Sequence, residues 1–310
     1  MLRLFFEDSD GNVLKSGELL SVVLNIENDV PADSIAVTLP YDANLVLNVN
    51  TIAAKSGDTL VFRGLVDEIV SLCDEKQAII KLTARSPAGL LLDNEAEPVT
   101  YYCPTSEFLC KKHLKPFGIE AQDADDTPLS NYFRIDKGMT HWQVIENFCK
   151  VHYGTTPCVD GDGKVFLKGR VRDRCLLFGK GGIDYVSIKE SRKKCELISE
   201  VRVKIDRFGG YNSRIVNDSA EAGGAGSVRF MDATADTGGL KTADRIIENS
   251  NKKSYCIMLL CRECVVDAMG CKAKICDERF GNLENLVVQK VQYSLGKDGE
   301  FTALELGKEI

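Results

Sequence analysis

The stretch LVFRGLVDEIV, residues 60–70, followed after a short gap by QAIIKLTA, residues 77–84, sets the character of the first ninety residues. Both stretches have the length and the apolar content of β-strands. Between them, CDEK at residues 73–76 can close a hairpin, although it lacks the glycine that the commonest two-residue turns prefer. These stretches therefore predict a pair of hairpin strands whose turn type stays open.

Upstream of this hairpin, the sequence continues to indicate β structure. Leu2, Leu4 and Phe6 occupy alternate positions, and residues 20–26 and 34–39 are further runs of strand length separated by turn residues. Several short strands at this spacing are typical of a small barrel. The sequence thus predicts a first β-barrel domain over residues 1–95.

Residues 96–180 combine helical and strand patterns. Thr140 and Gln143 have the spacing of a capping box, and apolar side chains follow them at helical intervals, which predicts a helix over about 141–152. Further along the chain, DGDG at residues 160–163 predicts the turn of a second hairpin. This section is therefore predicted to be a small α/β domain.

Residues 181–310 indicate β structure again, with an insertion at about 209–250. The insertion is mostly small and polar, with glycine clusters at 223–226 and 238–239, and it predicts a loop of unusual length. The chain closes with two strand-length runs joined by GKDG, residues 296–299, as a hairpin. No internal sequence repeat is visible between this section and the first one.

The composition is that of a folded globular chain. Of its 310 residues, 44% are hydrophobic and 27% are charged, and the formal net charge is −7. The apolar runs are far shorter than the roughly 20 residues that a helix needs to cross a bilayer. Acidic residues within the first ten positions do not fit a secretory signal, so the chain is expected in the cytosol. Because Lys and Arg are scattered among acids, a nucleic-acid footprint is not expected.

Residues with catalytic chemistry are sparse. The three histidines, His113, His141 and His152, lack the i, i+4 spacing of a zinc-binding helix and are interpreted as structural or surface side chains. Neither paired carboxylates nor a cysteine recognisably combined with a histidine is placed as a catalytic set would require. The sequence therefore predicts no catalytic residues and no enzyme activity.

One cysteine cluster is a candidate metal site. It consists of Cys261, Cys264, Cys271 and Cys276, in which a C-x-x-C pair is followed by two further thiols that could complete a tetrahedral zinc site. The second pair is spaced more loosely than in common structural zinc sites. Buried free thiols are the favoured interpretation, with structural zinc as the alternative, and no other cofactor is predicted.

The order of motifs along the chain points to a known family. The motifs are FRGLVD at 62–67, LTARS at 82–86, FRIDKGMT at 133–140 with its following helix and hairpin, and the closing hairpin within 287–306. In this order they resemble baseplate hub proteins of contractile-tailed phages and related contractile injection particles, including the late control protein D-like family. The likeness spans nearly the whole chain.

The resemblance implies a mainly β fold with α+β character, in which two tail-tube-like β-barrels flank a small α/β domain and an inserted loop-rich segment. The second barrel would comprise residues 181–310. Three chains would then place six barrels in a ring, so that a homotrimer joins a sixfold tail tube to a threefold central spike and nucleates tube assembly. The acidic balance would favour a negatively lined channel.

The same resemblance implies the partners and the location of the chain. The expected partners are further copies of the chain, the tail tube protein, the central spike protein and other baseplate proteins, without membrane insertion and without sequence-specific nucleic acid. The chain would be made in the host cytoplasm and assembled into a virion or a phage-tail-like particle.

Two other classes of function stay open. A glycan- or peptide-binding module at the tail tip is the first, because barrel loops readily carry such sites. A cell-wall hydrolase is the second, but it would need a catalytic set that the sequence does not place convincingly.

Overall fold

The computed structural model describes residues 2–27, 31–169, 172–205, 209–223, 226–233 and 240–308. Within these ranges the buried hydrophobic residues form three clusters. One is shared by the first and last β sections, one belongs to the middle section, and one lies in the insertion. None of the helices in the described ranges is long and apolar enough to cross a membrane.

The first β section occupies residues 2–85. Its strands show the period-two burial expected of a sheet with one face in a core: in β3, Val22, Leu24 and Ile26 are buried and the residues between them are half-buried. The elements of this section are β1 (Leu2–Glu7), β2 (Val13–Leu14), β3 (Ser21–Glu27), β4 (Ser34–Pro40), α1 (Ala43–Asn48), β5 (Thr51–Ser56), β6 (Thr59–Cys73) and β7 (Ala78–Arg85).

The hairpin predicted from residues 60–84 is present, and an aspartate closes its turn. Strands β6 and β7 pair antiparallel until Cys73 lies opposite Ala78. The Asp74 carboxylate accepts hydrogen bonds from the backbone N–H groups of Lys76 and Gln77, at 2.8 and 2.9 Å. These bonds lower the pKa of Asp74. An Asx-type turn therefore closes this hairpin without the glycine that other hairpin turns contain.

The middle section packs helices against short strands. The capping box is confirmed, because Thr140 Oγ1 accepts from the Gln143 amide and the Gln143 side chain accepts from the Thr140 amide. The helix that follows buries Trp142 and Phe148 in the core of this section. The elements are α2 (Gly89–Asp93), β8 (Val99–Tyr102), α3 (Ser106–His113), β9 (Tyr132–Ile135), α4 (His141–His152), β10 (Cys158–Val159) and β11 (Val165–Phe166).

The last β section surrounds the insertion. Its sheet strands resume the alternation of buried and exposed residues, and the final two form the hairpin predicted from the sequence. The elements are β12 (Arg172–Gly179), β13 (Ser187–Arg192), β14 (Ile198–Lys204), β15 (Ser213–Val216), α5 (Asp218–Gly223), β16 (Ser227–Asp232), α6 (Leu240–Ser254), β17 (Tyr255–Cys261), β18 (Cys271–Asp277), β19 (Gly281–Gly296) and β20 (Gly299–Lys308).

The insertion is folded, which differs from the predicted long loop. Strand β14 lies between β15 and β16 in a separate sheet, and Val201, Val203 and Ala243 form its buried centre. The alternating residues Val201 and Val203 therefore pack in a separate small core, which α6 covers, and not in the core of the larger sheet. Of the glycine clusters, residues 224–225 and 238–239 lie outside the described residues.

A continuous sheet joins the two β sections. Its strands follow the order β13, β17, β20, β19, β3, β4, β7, β6, β5, β1 and β2, with β18 attached to β19 and β12 attached to β18. The junction between the sections is the antiparallel pairing of β19 with β3. Both sections also share one hydrophobic cluster. They therefore form one packed unit.

The two sections repeat the same pairing pattern. In the hairpin of β19 and β20, Lys290 lies opposite Glu305. In the hairpin of β6 and β7, Glu68 lies opposite Thr83, and both residues are 222 positions earlier in the chain. Each hairpin also has a β-bulge at the residue just before Lys290 or Glu68. The same offset relates the β17–β20 pairing to the β4–β7 pairing. Strand β13 repeats β3, because each pairs antiparallel with the equivalent neighbour, β17 or β4. The fold thus contains two copies of one β unit.

The repeat has two departures. Strand β12 pairs parallel with β18, whereas β1, its counterpart by order, pairs antiparallel with β5. The second departure is the insertion. Ser187, before the insertion, is equivalent to Ser21 and lies 166 positions after it, whereas the strands after the insertion lie 222 positions after their equivalents in the first unit. The difference of 56 residues is the extra chain between the equivalent strands.

Candidate assembly surfaces

The junction between the two β units combines buried and charged contacts. Tyr293 is fully buried, and its neighbour across the junction is Leu24. On the other face, Lys290 forms an ion pair with Glu27, and the Gln292 amide donates to Asn25 at 2.8 Å. The chain therefore contains one complete example of how two such units pair.

One open edge belongs to the outer half of β6. Strand β5 covers β6 only as far as Leu65, and among the described residues the far side of positions 67–73 has no strand partner. Val70 and Leu72 are each 42% exposed there. In the second unit, the equivalent half of β19 is covered by β3. An uncovered strand with exposed aliphatic side chains is prone to pair with another strand.

Strand β13 forms a second open edge, at the opposite end of the sheet. It pairs with β17 and has no other strand neighbour within the described residues. Lys189 and Arg192 are exposed on it, and the Arg192 guanidinium contacts Glu190 at 2.7 Å. Burial, together with a hydrogen bond to Glu190, raises the pKa of the adjacent Tyr255 to about 12. This edge therefore presents fixed charges along a free backbone.

Close backbone contacts hold the middle section against the first β unit. A Cβ at Gly161 would lie 2.4 Å from the carbonyl oxygen of Val61, so the DGDG turn approaches β6 at a position where only glycine fits. Arg85 bridges Asp67 and Asp93, with nitrogen–oxygen distances of 2.7 Å to each carboxylate. Its hydrogen bond lowers the pKa of Asp93. The middle section is thus seated on the first unit by a glycine contact and an arginine bridge.

A buried carboxyl lies near the same contact. Asp33 is 6% exposed, and burial raises its pKa to about 8, with smaller contributions from the charges of Asp160 and Glu27. The backbone N–H of Glu27 donates to this carboxyl and acts in the opposite direction. The Asp33 carboxyl is therefore expected to change its protonation state far above the ordinary range of an aspartate.

The three histidines lie in the middle section. His113 and His141 face each other with their Nδ1 atoms 2.9 Å apart, which connects the end of α3 to the start of α4. Burial and the neighbouring His141 lower the pKa of His113 to about 4. His152 packs its ring against Phe148 and Tyr153. The prediction that none of them is catalytic stays a prediction.

The four cysteines of the candidate zinc cluster lie in the second β unit. Cys261 ends β17 and Cys271 begins β18, both fully buried, while Cys264 and Cys276 are half-buried. Cys271 and Cys276 are five positions apart on one strand, so they face opposite sides of the sheet. The described residues contain no group of three or more ligating side chains placed to hold a metal ion. The geometry thus does not fit a four-thiolate zinc site.

An aromatic patch marks the outside of the middle section. The rings of Tyr102 and Tyr132 are 5.0 Å apart and the side chains are 72% and 59% exposed. Next to them, Tyr101 and Phe108 form an edge-to-face pair, also at 5.0 Å. Exposed aromatic faces of this kind can stack on apolar or sugar surfaces.

Comparison with solved structures shows the fold to be that of phage tail proteins. A 43 kDa tail protein of prophage MuSo2 from Shewanella oneidensis aligns over 100% of this chain and 99% of its own, with a TM-score of 0.81 and 14% identity. A tail protein from Neisseria meningitidis MC58 aligns over 99% and 96%, with a TM-score of 0.78 and 14% identity.

A third similar structure comes from a secretion system. The E. coli c3393 protein, a component of the type VI secretion system with structural similarity to the T4 bacteriophage tail proteins gp27 and gp5, aligns over 99% of this chain and 76% of its own, at a TM-score of 0.59 and 10% identity. No family profile and no curated protein matches the sequence itself. The fold class predicted from the sequence, mainly β with tail-tube-like units, is confirmed, as is the likeness to tail proteins at the level of the fold.

Proposed function

We propose that the chain is a structural baseplate hub, which trimerises to join a sixfold tail tube to a threefold central spike and to nucleate tube assembly. The observation that carries this proposal is the internal repeat. Each chain brings two equivalent β units already joined side by side in one sheet. Three such chains would present six equivalent units to a tube, while the rest of each chain keeps threefold symmetry.

The departures from the repeat fit this role. The α/β section and the folded insertion occur once per chain, so in a trimer they would form threefold features around a sixfold ring. The tube subunit would meet the repeated sheet, and the spike would meet elements present once per chain. This function is geometric and involves neither a chemical step nor a cofactor.

The neighbours in structure support the same partners. The E. coli secretion-system protein has similarity to a pair of tail proteins, and a further neighbour is a chain in the structure of a Francisella PdpA–VgrG complex, at a TM-score of 0.58 and 8% identity. By analogy of fold, we propose that this chain contacts a spike protein, a tube protein and other baseplate proteins within a virion or a phage-tail-like particle.

The stoichiometry of the chain tests the proposal. Native mass spectrometry should detect a species of three chains, either for the chain alone or after addition of its cognate tube and spike proteins. Electron microscopy of the mixture should show tube growing from one end of the trimer. A chain that stays monomeric with both partners present would refute the hub.

A glycan- or peptide-binding module is the second candidate, favoured by the exposed Tyr102–Tyr132 pair. Under that alternative, a monomer should bind cell-wall glycan fragments in calorimetry, and Tyr102→Ala should abolish the binding. Met258→Ala, at a 44% exposed residue outside the middle section, is the matched control and should leave binding unchanged.

A further inference from the structure

We infer that the ring closes by strand pairing between copies: residues 68–73 of β6 in one chain pair antiparallel with residues 188–193 at β13 of the next, with Glu68 opposite Lys193. This inference rests on the proposed trimer and specifies its interface. The occupant of both open edges is therefore a second copy of this chain, and each copy contributes one edge to each of its two neighbours.

The register follows from the junction inside the chain. There, Lys290 lies opposite Glu27 and Leu295 lies opposite Val22. The repeat maps residues 290–295 of β19 onto 68–73 of β6, and maps residues 22–27 of β3 onto 188–193. A junction of the same geometry between two chains must then pair Glu68 with Lys193 and Cys73 with Ile188.

The two edges are available for this pairing. Within the described residues, neither the outer half of β6 nor β13 has a strand on its far side. Val70, Leu72 and Lys189 are exposed, and their equivalents Gln292, Ser294 and Val23 lie in strands that pair with each other at the junction inside the chain. The exposure of aliphatic residues on an uncapped strand is unusual for a protein that works as a monomer.

The charges of the two edges are complementary in this register. The ion pair Lys290–Glu27 inside the chain has its counterpart in Glu68 opposite Lys193, with the signs exchanged between the strands. On the other face, the Ser71 hydroxyl lies opposite the Glu190 carboxylate, a donor facing an acceptor. The charges were not used to set the register, so their agreement is independent support. A shift by one residue would place Ile69 and not Glu68 opposite Lys193.

Charge reversal tests the pairing in the intact chain. Glu68→Lys places like charges opposite each other at every junction, which weakens each by up to about five-fold. Over three junctions the trimer dissociation constant should rise by about a hundred-fold. Because that constant varies as the square of concentration, the midpoint of dissociation should move to an about ten-fold higher chain concentration. Lys193→Glu should have the same effect, and the double variant should restore assembly. Glu284→Lys, at the exposed Lys274–Glu284 pair away from both edges, is the matched control and should leave assembly unchanged.

Cross-linking tests the register directly. The double variant Val70→Cys/Ser191→Cys should give a covalent trimer under mild oxidation on non-reducing gels, whereas each single variant should not. Val70→Cys/Val186→Cys is the control, because residue 186 lies about 16 Å further along the strand. Thermal unfolding of each variant checks that the fold is kept.

The outcomes separate the interface from the hub. A wild-type trimer that assembles normally with Glu68→Lys and gives no cross-link at 70/191 would overturn the pairing and leave the hub proposal standing. A wild-type chain that stays monomeric with tube and spike proteins would overturn both. Restoration by the double charge reversal, with cross-linking at 70/191 only, would establish the pairing.

Discussion

Replacement of Gly161 by alanine should loosen the contact between the middle section and the first β unit. The added Cβ would lie 2.4 Å from the carbonyl oxygen of Val61 and 2.7 Å from its carbonyl carbon. Ordinary contacts of this kind begin at about 3.4 Å, so the turn and the strand would have to separate by about 1 Å. Overpacking of this size destabilises proteins by about 1–3 kcal/mol.

Chemical denaturation is the assay for this prediction, with two fluorescence or circular-dichroism probes. Gly161→Ala should lower the free energy of unfolding by that amount, and the middle section should lose its coupling to the β units first. Gly296→Ala is the control, since a Cβ there meets nothing within 4 Å. An unfolding free energy for Gly161→Ala within 0.5 kcal/mol of wild type, an about-neutral surface value, would refute the proposed rigidity of this contact.

Three further predictions concern stability. Asp33 has a pKa of about 8 in the folded chain, above its ordinary value of 3.8, so between these pH values the folded chain binds a proton that the unfolded chain has released. The free energy of unfolding should therefore fall by up to about 1.4 kcal/mol per pH unit as the pH rises from 3.8 to 8. Asp33→Asn should flatten this dependence when urea titrations are compared from about pH 5 to about pH 8.5. Thr140→Ala removes the acceptor of the α4 capping box and should cost about 0.5–2 kcal/mol in the same titration, whereas Thr127→Ala, whose hydroxyl makes no described hydrogen bond, should be close to neutral. Incubation with a chelator should leave Tm unchanged, because Cys271 and Cys276 face opposite sides of β18; a drop in Tm together with zinc released in mass spectrometry would restore the four-cysteine site.

Local features were predictable because nearby residues determine them. The capping box needs only Thr140 and Gln143 at the right spacing, and it is present as expected. The hairpin at residues 60–84 was likewise visible from its two apolar runs. The sequence left its turn type open because glycine is missing, and only the structure shows the Asp74 carboxylate accepting hydrogen bonds from the amides of Lys76 and Gln77.

The internal repeat escaped sequence analysis because burial, and not identity, is what the two units share. Aligned at the offset of 222, Val66 matches Val288 and Leu82 matches Leu304, but Gly64 matches Leu286. For the strands that precede the insertion, the offset between the two units is 56 residues smaller, so one ungapped alignment cannot match both parts. A pairing pattern survives such changes, since a strand needs only alternate apolar residues to keep its place.

The two open edges were not predictable for a related reason. Edge strands and inner strands are both extended and place alternate side chains on opposite faces, so the sequences of β6 and β13 do not by themselves show whether another strand covers them. The decisive information is which strand lies beside which, and that depends on residues far apart in the chain. The sequence supplied the complementary charges of Glu68 and Lys193, but their relation required the register of β19 on β3.

Net charge is also a poor guide to the inside of the proposed ring. In a closed ring the bulk of each β unit would face outward, so the solvent face of the shared sheet would line the channel. That face carries Glu27, Glu68 and Glu305 beside Lys81, Lys189 and Lys290, between small residues such as Ser21, Ala36 and Ala303. Opposite charges in neighbouring positions cancel over a few ångströms, and a strong attraction for DNA or for a protein cargo would need one sign to dominate. The net charge of −7 therefore lies mainly on other surfaces of the chain. A channel that does not retain DNA or a protein cargo would then result from neighbouring opposite charges, and not from the acidic lining expected from the composition.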